Sequence, residues 1–343
     1  MDERILEQLE NVPYQKKEGE TALEIIKRLL EEKDELYGWN YSKEEWERIN
    51  YELDRIKELG LEKLILFCYT LSKIADGCVR YAFTGTEGCS FVLSELISAT
   101  FSKAKFNLPF ERFFNEYRKS APTLSIYVEQ GGKGKILKSL YETYGKSLFI
   151  KGKDSDDFYF ASSKPFDTEI IKETVIVAKE NEEAYAENLS ILTSRELSKL
   201  GFYSFSITEV ESIEYLTDAN VTERSILEKK KELFDDCYRN DIEEFELIEE
   251  LKPYLAYTEN KLIYQEQFME ICNKVFNVSY SMADYYRREI AKKKKENVIS
   301  LKEIIMQKFS NNGEKLFNYF YSAVPYSVSK AYLIACLSYK IEE

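Results

Sequence analysis

The chain has 343 residues, of which 44% are apolar and 32% charged, carries a formal charge of −13 and contains no histidine. Such a composition is that of an ordinary globular chain, long enough for about two domains and a large core. The missing imidazole excludes Ser-His-Asp and Cys-His catalysis, histidine-containing zinc sites and imidazole pH switches. Acid–base or metal chemistry would have to rest on carboxylates, lysines, cysteines or tyrosines.

The opening MDERILEQLENV is charged and reads as no signal peptide, and no run of eighteen apolar residues predicts a membrane span. Residues 20–36 predict an amphipathic helix. Ser42-Lys43-Glu44-Glu45 is a capping box, after which Trp46, Ile49, Leu53 and Ile56 recur at helical spacing until Gly60. A more buried helix is expected over 62–76, then a small-residue loop from Gly85 to Ser90 and a helix over 90–104. Alternation over 123–129 predicts a half-buried strand, broken by Gly131, Gly132 and Gly134 before a helix over 135–144. The polar stretch 145–167 reads as a loop or linker. Residues 173–178 and 202–207 are candidate strands. Beyond 222 the pattern is helical, over 222–251, 263–276, 281–295, 299–309 and 328–341. The fold class expected is α+β and helix-rich, a mixed half followed by an all-α half.

Charge is unevenly spread. Residues 1–60 carry 17 acids against 10 bases and 166–280 carry 26 against 12, whereas 61–165 carry 15 bases against 11 acids and 281–310 carry 8 against 4. The acidic total argues against unspecific binding of nucleic acid or anionic membrane over the whole surface. The two basic stretches read either as solvated helix faces or as the walls of a phosphate-binding cleft. The 26 tyrosines and 21 phenylalanines read as core and half-buried faces rather than as base-stacking platforms. The six cysteines (Cys68, Cys78, Cys89, Cys237, Cys272, Cys336) lack metal or redox spacing and read as reduced core thiols of a cytoplasmic protein.

Four segments, in order, resemble the bacterial C-family replicative DNA polymerases, the α subunit of DNA polymerase III. Tyr51-Glu52-Leu53-Asp54-Arg55-Ile56 leads to Gly85-Thr86-Glu87-Gly88-Cys89-Ser90-Phe91-Val92, similar to the family's glycine-serine loop. Leu108-Pro109-Phe110-Glu111-Arg112-Phe113-Phe114-Asn115 resembles L-F-E-R-F-L-N. Leu200 to Ile207 resembles L-G-L-V-K-F-D-F. Tyr264-Gln265-Glu266-Gln267-Phe268-Met269 resembles Y-Q-E-Q-x-M, Ala283 to Lys294 resembles A-D-L-L-R-R-A-M-G-K-K-K, and Pro325 with Ala331-Tyr332-Leu333-Ile334 sits where the family has F-P-K-A-H-A-A-A-Y-V-L.

The resemblance implies a nucleotidyltransferase-type (polymerase β-like) palm over 1–144 and 168–221, a linker at 145–167 in place of the thumb, and α-helical fingers over 222–343. It also implies that the family's phosphoesterase, clamp-binding and oligonucleotide-binding regions are absent. The family binds two metal ions through a strand reading P-D-x-D-x-D/N-F and through the aspartate of K-F-D-F. At those positions stand Thr123, Ser125, Tyr127 and Ser206, and hydroxyls do not replace carboxylates at a pair of hard divalent cations. The expected metal and cofactor set is therefore none. Candidate phosphate-binding residues are Gly85, Thr86, Gly88 and Ser90 at a helix start, and Arg287, Arg288, Lys292, Lys293 and Lys294, which the resemblance places over an incoming triphosphate. Thr84, Tyr326 and Val328 stand where the family has arginine, lysine and histidine.

Three functions follow. The first is a catalytically inactive homologue that binds DNA, a nucleoside triphosphate or a replication partner. The second is an active, Mg²⁺-dependent nucleotidyltransferase with relocated carboxylates such as Glu129 with Glu209 or Glu211. The third is a structural module whose acidic 166–280 region meets a protein partner.

Overall fold

The computed structural model describes residues 16–38, 40–75, 81–83, 86–97, 108–118, 124–145, 149–154, 157–160, 193–199, 202–210 and 249–331. The expected strand at 173–178, most of the expected helix at 222–251, the stretch 332–341, Gly85, Thr123 and Glu211 lie outside them.

Three helices come first among the described residues. α1 (Ala22–Tyr37) and α2 (Lys43–Leu59) each start with a capping box, Thr21 with Glu24 and Ser42 with Glu45, and each ends on a left-handed glycine, Gly38 and Gly60. The box at Ser42 is the one read from the sequence. α3 (Glu62–Ala75) follows at once and buries Leu64, Ile65, Phe67, Cys68 and Leu71.

A five-stranded mixed sheet packs on this layer, in the order β1 (Tyr81–Phe83), β2 (Leu124–Glu129), β5 (Tyr203–Val210), β4 (Phe158–Phe160), β3 (Ile150–Lys151). β2 and β5 run parallel at its centre, and the other pairs are antiparallel. Leu124, Ile126 and Val128 of β2 and Phe205 and Ile207 of β5 face a core shared with α3 and α5 (Gly132–Tyr144). Phe205 lies 5.3 Å from both Phe67 and Phe158, centroid to centroid. Period-2 alternation therefore places positions 125, 127 and 129 of β2, and 204, 206 and 208 of β5, on the other face.

Two expectations are corrected here. The stretch 145–167 is not simply a loop, because 150–151 and 158–160 form the antiparallel edge of the sheet, where Phe158, Tyr159 and Ile150 are buried. Gly132 and Gly134 do not precede the helix but lie inside its first turns, with left-handed Gly131 making the bend from the strand. The glycine penalty of about 1 kcal/mol each is smaller than the gain from burying Ile136, Leu140 and Tyr144 against the sheet.

After α4 (Phe91–Ile97) and α6 (Ser194–Lys199), the remaining described elements are helical: α7 (Lys252–Leu255), α8 (Gln265–Lys274), α9 (Tyr280–Ala291) and α10 (Ile299–Ala323). They enclose a second core around Phe268, Ile271, Ile290, Leu301, Leu316 and Phe320. α9 stops at Ala291, so Lys292 to Lys294 form a turn rather than the continuous helix expected to 295; Lys293 takes φ 58°. α10 breaks at Ser310 (φ 38°, ψ −102°), which agrees with the expected end at 309. The chain folds back there, and Lys302 pairs with Glu314 at 2.9 Å. A Cβ at Gly313 would lie 2.7 Å from Met306 Cα. Among the described residues no helix is long and apolar enough to cross a membrane, and Cys68, Cys89 and Cys272 are buried.

Gly313→Ala is accordingly expected to destabilise the protein by about 1–3 kcal/mol, because backbone rather than a side-chain tip must move. The midpoint of urea unfolding measures this; an unchanged midpoint would show that the reversal has slack.

A candidate phosphate site built from four arginines

The parallel pairing of β2 with β5 sets Ser125 directly opposite Ser206 and Tyr127 opposite Thr208. The positions that the family resemblance assigns to metal ligands are thus neighbours on the sheet, and they carry hydroxyls. Glu209 falls on the other parity. Its Oε1 accepts the backbone N–H of Lys133 at 3.2 Å, at the start of α5. Glu129 is exposed at the strand's end. Among the described residues no three carboxylate or thiol groups gather into a possible metal site. A pair of Mg²⁺ ions needs several carboxylate oxygens, so this donor set does not fit it.

The turn before α4 holds Thr86, Gly88 and Ser90, all buried. The backbone N–H groups at that helix start are already satisfied. Glu52 of α2, fully buried, accepts from Phe91 N at 2.9 Å, Val92 N at 3.0 Å and Ser90 Oγ at 2.8 Å. Arg48 donates to the same carboxylate at 2.6 Å and, through Nη2, to the carbonyls of Cys89 and Leu108. Ser90 Oγ in turn accepts from Leu93 N. An internal carboxylate therefore occupies the place an external anion would take. Gly88 packs beneath Ala331, whose N–H is held by Glu266.

The arginines form a different arrangement. Asp284 on α9 is fully buried, and its carboxylate gathers groups from two parts of the chain. From its own helix, Arg287 donates to Oδ1 through Nε (3.0 Å) and Nη2 (2.8 Å), and Arg288 donates to Oδ2 through Nε (3.0 Å). The i+3 and i+4 spacing makes this possible. From residues 108–118, Asn115 Nδ2 donates to Oδ2 at 3.0 Å, Arg118 Nη2 approaches it at 3.5 Å, and Arg112 Nη1 lies 3.8 Å from Oδ1.

Further bonds fix the fan. Arg118 donates to the Arg112 carbonyl, Arg112 to Gln265 Oε1, and Arg288 to the Tyr117 carbonyl. The Arg112 and Arg118 guanidiniums lie 4.6 and 5.6 Å from the Phe113 ring centroid. Four positive charges thus meet one carboxylate. The neighbouring acids are engaged elsewhere, Glu116 with Arg55 and Ser281, and Glu111 with the Tyr51 hydroxyl. Buried Nε atoms of Arg112 and Arg118 have no hydrogen-bond partner.

The electrostatics follow. Burial alone would raise the Asp284 carboxyl, but the surrounding guanidiniums, Arg287 foremost, hold it below the ordinary aspartate value. Burial, with repulsion among the guanidiniums, lowers Arg118 and Arg287 to about 10. Arginine stays protonated at neutral pH, so the shift expresses the cost of holding these charges away from water. An oxyanion in reach of the cluster would offset that cost. Bidentate guanidinium geometry suits phosphate, and the low dielectric strengthens the attraction.

Of the other sequence candidates, Lys292 pairs with Glu289 at 3.0 Å, while Lys293 and Lys294 are exposed on the turn after α9. Arg112 and Arg118 were not candidates. The legible signal was an aspartate followed at i+3 and i+4 by arginines, together with the arginines of the F-E-R-F-F-N-E-Y-R run. A cleft of about 470 Å³ opens nearby between Arg48, Tyr51, Glu111, Glu270, Lys274 and Tyr280. Its carboxylates accept from the Tyr51 and Tyr280 hydroxyls. With two acids in its wall it suits phosphate less than the arginine fan does.

A mixed sheet followed by an arginine-bearing helical part is the class of structure seen here, and comparison with known proteins gives it a family. Residues 24–151 match the bacterial DNA polymerase III alpha NTPase domain, and residues 227–313 match the bacterial DNA polymerase III alpha subunit finger domain. The chain belongs to the bacterial C-family DNA polymerases, of which it carries a DNA polymerase III α-like region. Similar proteins include error-prone DNA polymerase 1 of Rhizobium meliloti, 28% identical over 39% of this chain and 12% of that protein. The DNA polymerase III α subunit of Ureaplasma parvum is 29% identical over 39% of this chain and 15% of its own length. That of Staphylococcus aureus is 30% identical over 40% and 13%. The match thus spans less than a sixth of these relatives.

Asp284→Asn is expected to cost about 3–5 kcal/mol, since it leaves four guanidiniums without their counter-charge. Chemical denaturation measures the loss. A cost under about 1 kcal/mol would mean that the arginines do not depend on Asp284.

Proposed function

We propose that the chain is a catalytically silent palm-and-fingers homologue of the DNA polymerase III α subunit that binds the phosphates of a nucleoside triphosphate or of DNA. In this reading residues 1–144 and 168–221 form the palm and residues 222–343 the fingers. The observation that carries it is the fan of Arg112, Arg118, Arg287 and Arg288 around one buried aspartate. Arg112 and Arg118 come from the palm and Arg287 and Arg288 from the fingers, so a phosphate held there touches both. Lys292, Lys293 and Lys294 lie on the turn that follows and extend the positive field. The glycine turn contributes as scaffold, because Glu52 already fills it.

Silence at the chemical step is supported by the neutral pair Ser125 and Ser206 at the centre of the sheet. The relocated-carboxylate alternative loses support from Glu209, which is engaged at the start of α5. Without a metal to activate a 3′-hydroxyl and hold the leaving phosphate, the rate falls by many powers of ten. A cytoplasmic place and a protein partner fit the same reading.

Pure protein is expected to show no Mg²⁺-dependent primer extension; robust extension abolished by chelator would contradict silence. In a titration with deoxynucleoside triphosphate or primer-template DNA, binding is expected to weaken as salt rises. Arg288→Gln, at a partly exposed member of the fan, should weaken it about tenfold. Equal binding by the variant would place the phosphate elsewhere.

A further inference from the structure

We propose that the arginine fan takes its polyphosphate free of divalent cation, so that Mg²⁺ weakens nucleotide binding instead of supporting it. This rests on the nucleotide-binding reading above.

The first ground is the donor set. Ser125 and Ser206 are register partners on adjacent parallel strands, as are Tyr127 and Thr208. Neutral hydroxyls in these places give a hard cation no charge balance. Glu209 bonds to Lys133 N, on the parity opposite to Ser206, and Glu129 stands exposed at the strand end. The described sheet positions therefore offer an arriving metal no carboxylate pair.

The second ground is the charge already present. Arg112, Arg118, Arg287 and Arg288 bring four positive charges to one buried carboxylate. The Arg112 side chain is only 9% exposed, and the Nε atoms of Arg112 and Arg118 are buried without an acceptor. The fan thus holds more positive charge than its one carboxylate balances. A metal-free polyphosphate supplies the missing negative charge through the partly exposed guanidiniums of Arg118 and Arg288. Mg²⁺ cancels two of its charges and takes up oxygens that guanidinium forks would otherwise bond. In a site screened from water, that loss weighs more than it would in solution. Where an active polymerase depends on metal-bound nucleotide, this chain would discriminate against it.

The test is calorimetric titration of the full chain with a deoxynucleoside triphosphate, and separately with inorganic tripolyphosphate. Each is run in chelator and in excess Mg²⁺, with sodium chloride adjusted to equal ionic strength. The expected result is a dissociation constant about tenfold larger in Mg²⁺ for both probes, a charge effect of the size seen for desolvated ion pairs. Equal or tighter binding in Mg²⁺ overturns the inference and leaves the nucleotide reading standing. No binding of either probe in either buffer overturns that reading and the inference with it.

Discussion

The buried carboxylate of Asp284 is the constraint on which the arrangement between the sheet-bearing part and the helical part depends. It accepts from Arg287 and Arg288 of its own helix and from Asn115 of the 108–118 segment, with Arg112 and Arg118 close by. A single buried aspartate would be costly unless paired. Here the imbalance runs the other way, with too many cations for one anion. Such a cluster is a poor device for stability alone. As the phosphate receptor proposed above, it would have its guanidiniums placed before the anion arrives, with little left to reorganise on binding.

Glu52 has the opposite consequence for the glycine turn. The same chemistry, a carboxylate against backbone N–H groups at a helix start, is satisfied within the chain. Two places that read alike from sequence, as candidate anion sites, are thus separated by their partners. One is closed by an acid from α2, and the other holds more cations than its carboxylate balances. The cation count around each decides which can take a ligand. Arg48 balances Glu52 one to one, while Asp284 is outnumbered.

Much of the fold was legible because it is local. Ser42 and Glu45 are three residues apart, so their capping box can be read directly, and the alternation of β2 declares its own buried face. The hairpin of β3 and β4 was hidden by its Gly-Lys-Asp-Ser run, since strands of two and three residues carry too few positions to show a period. Gly132 and Gly134 misled because propensity is a weak term against burial. At the site, Arg287 and Arg288 stood out as a basic run, yet their role depends on Asp284, and on Arg112 and Arg118 more than 160 residues away in sequence. Likewise Glu52 finds its amides 39 and 40 residues downstream. Pairings at such separation leave no spacing to read. The neutral positions at 125 and 206 were visible singly, and the sheet register adds that they are neighbours.

The central claim is that phosphate meets this chain at the arginine fan and without a metal. A crystal structure of the full chain, soaked with a deoxynucleoside triphosphate in the presence of chelator, tests it most directly. The account predicts phosphate density within hydrogen-bonding distance of Arg112, Arg118, Arg287 or Arg288, with Glu52 still bonded to Phe91 and Val92. Phosphate density at the turn of residues 86–90, with Glu52 displaced, would contradict it.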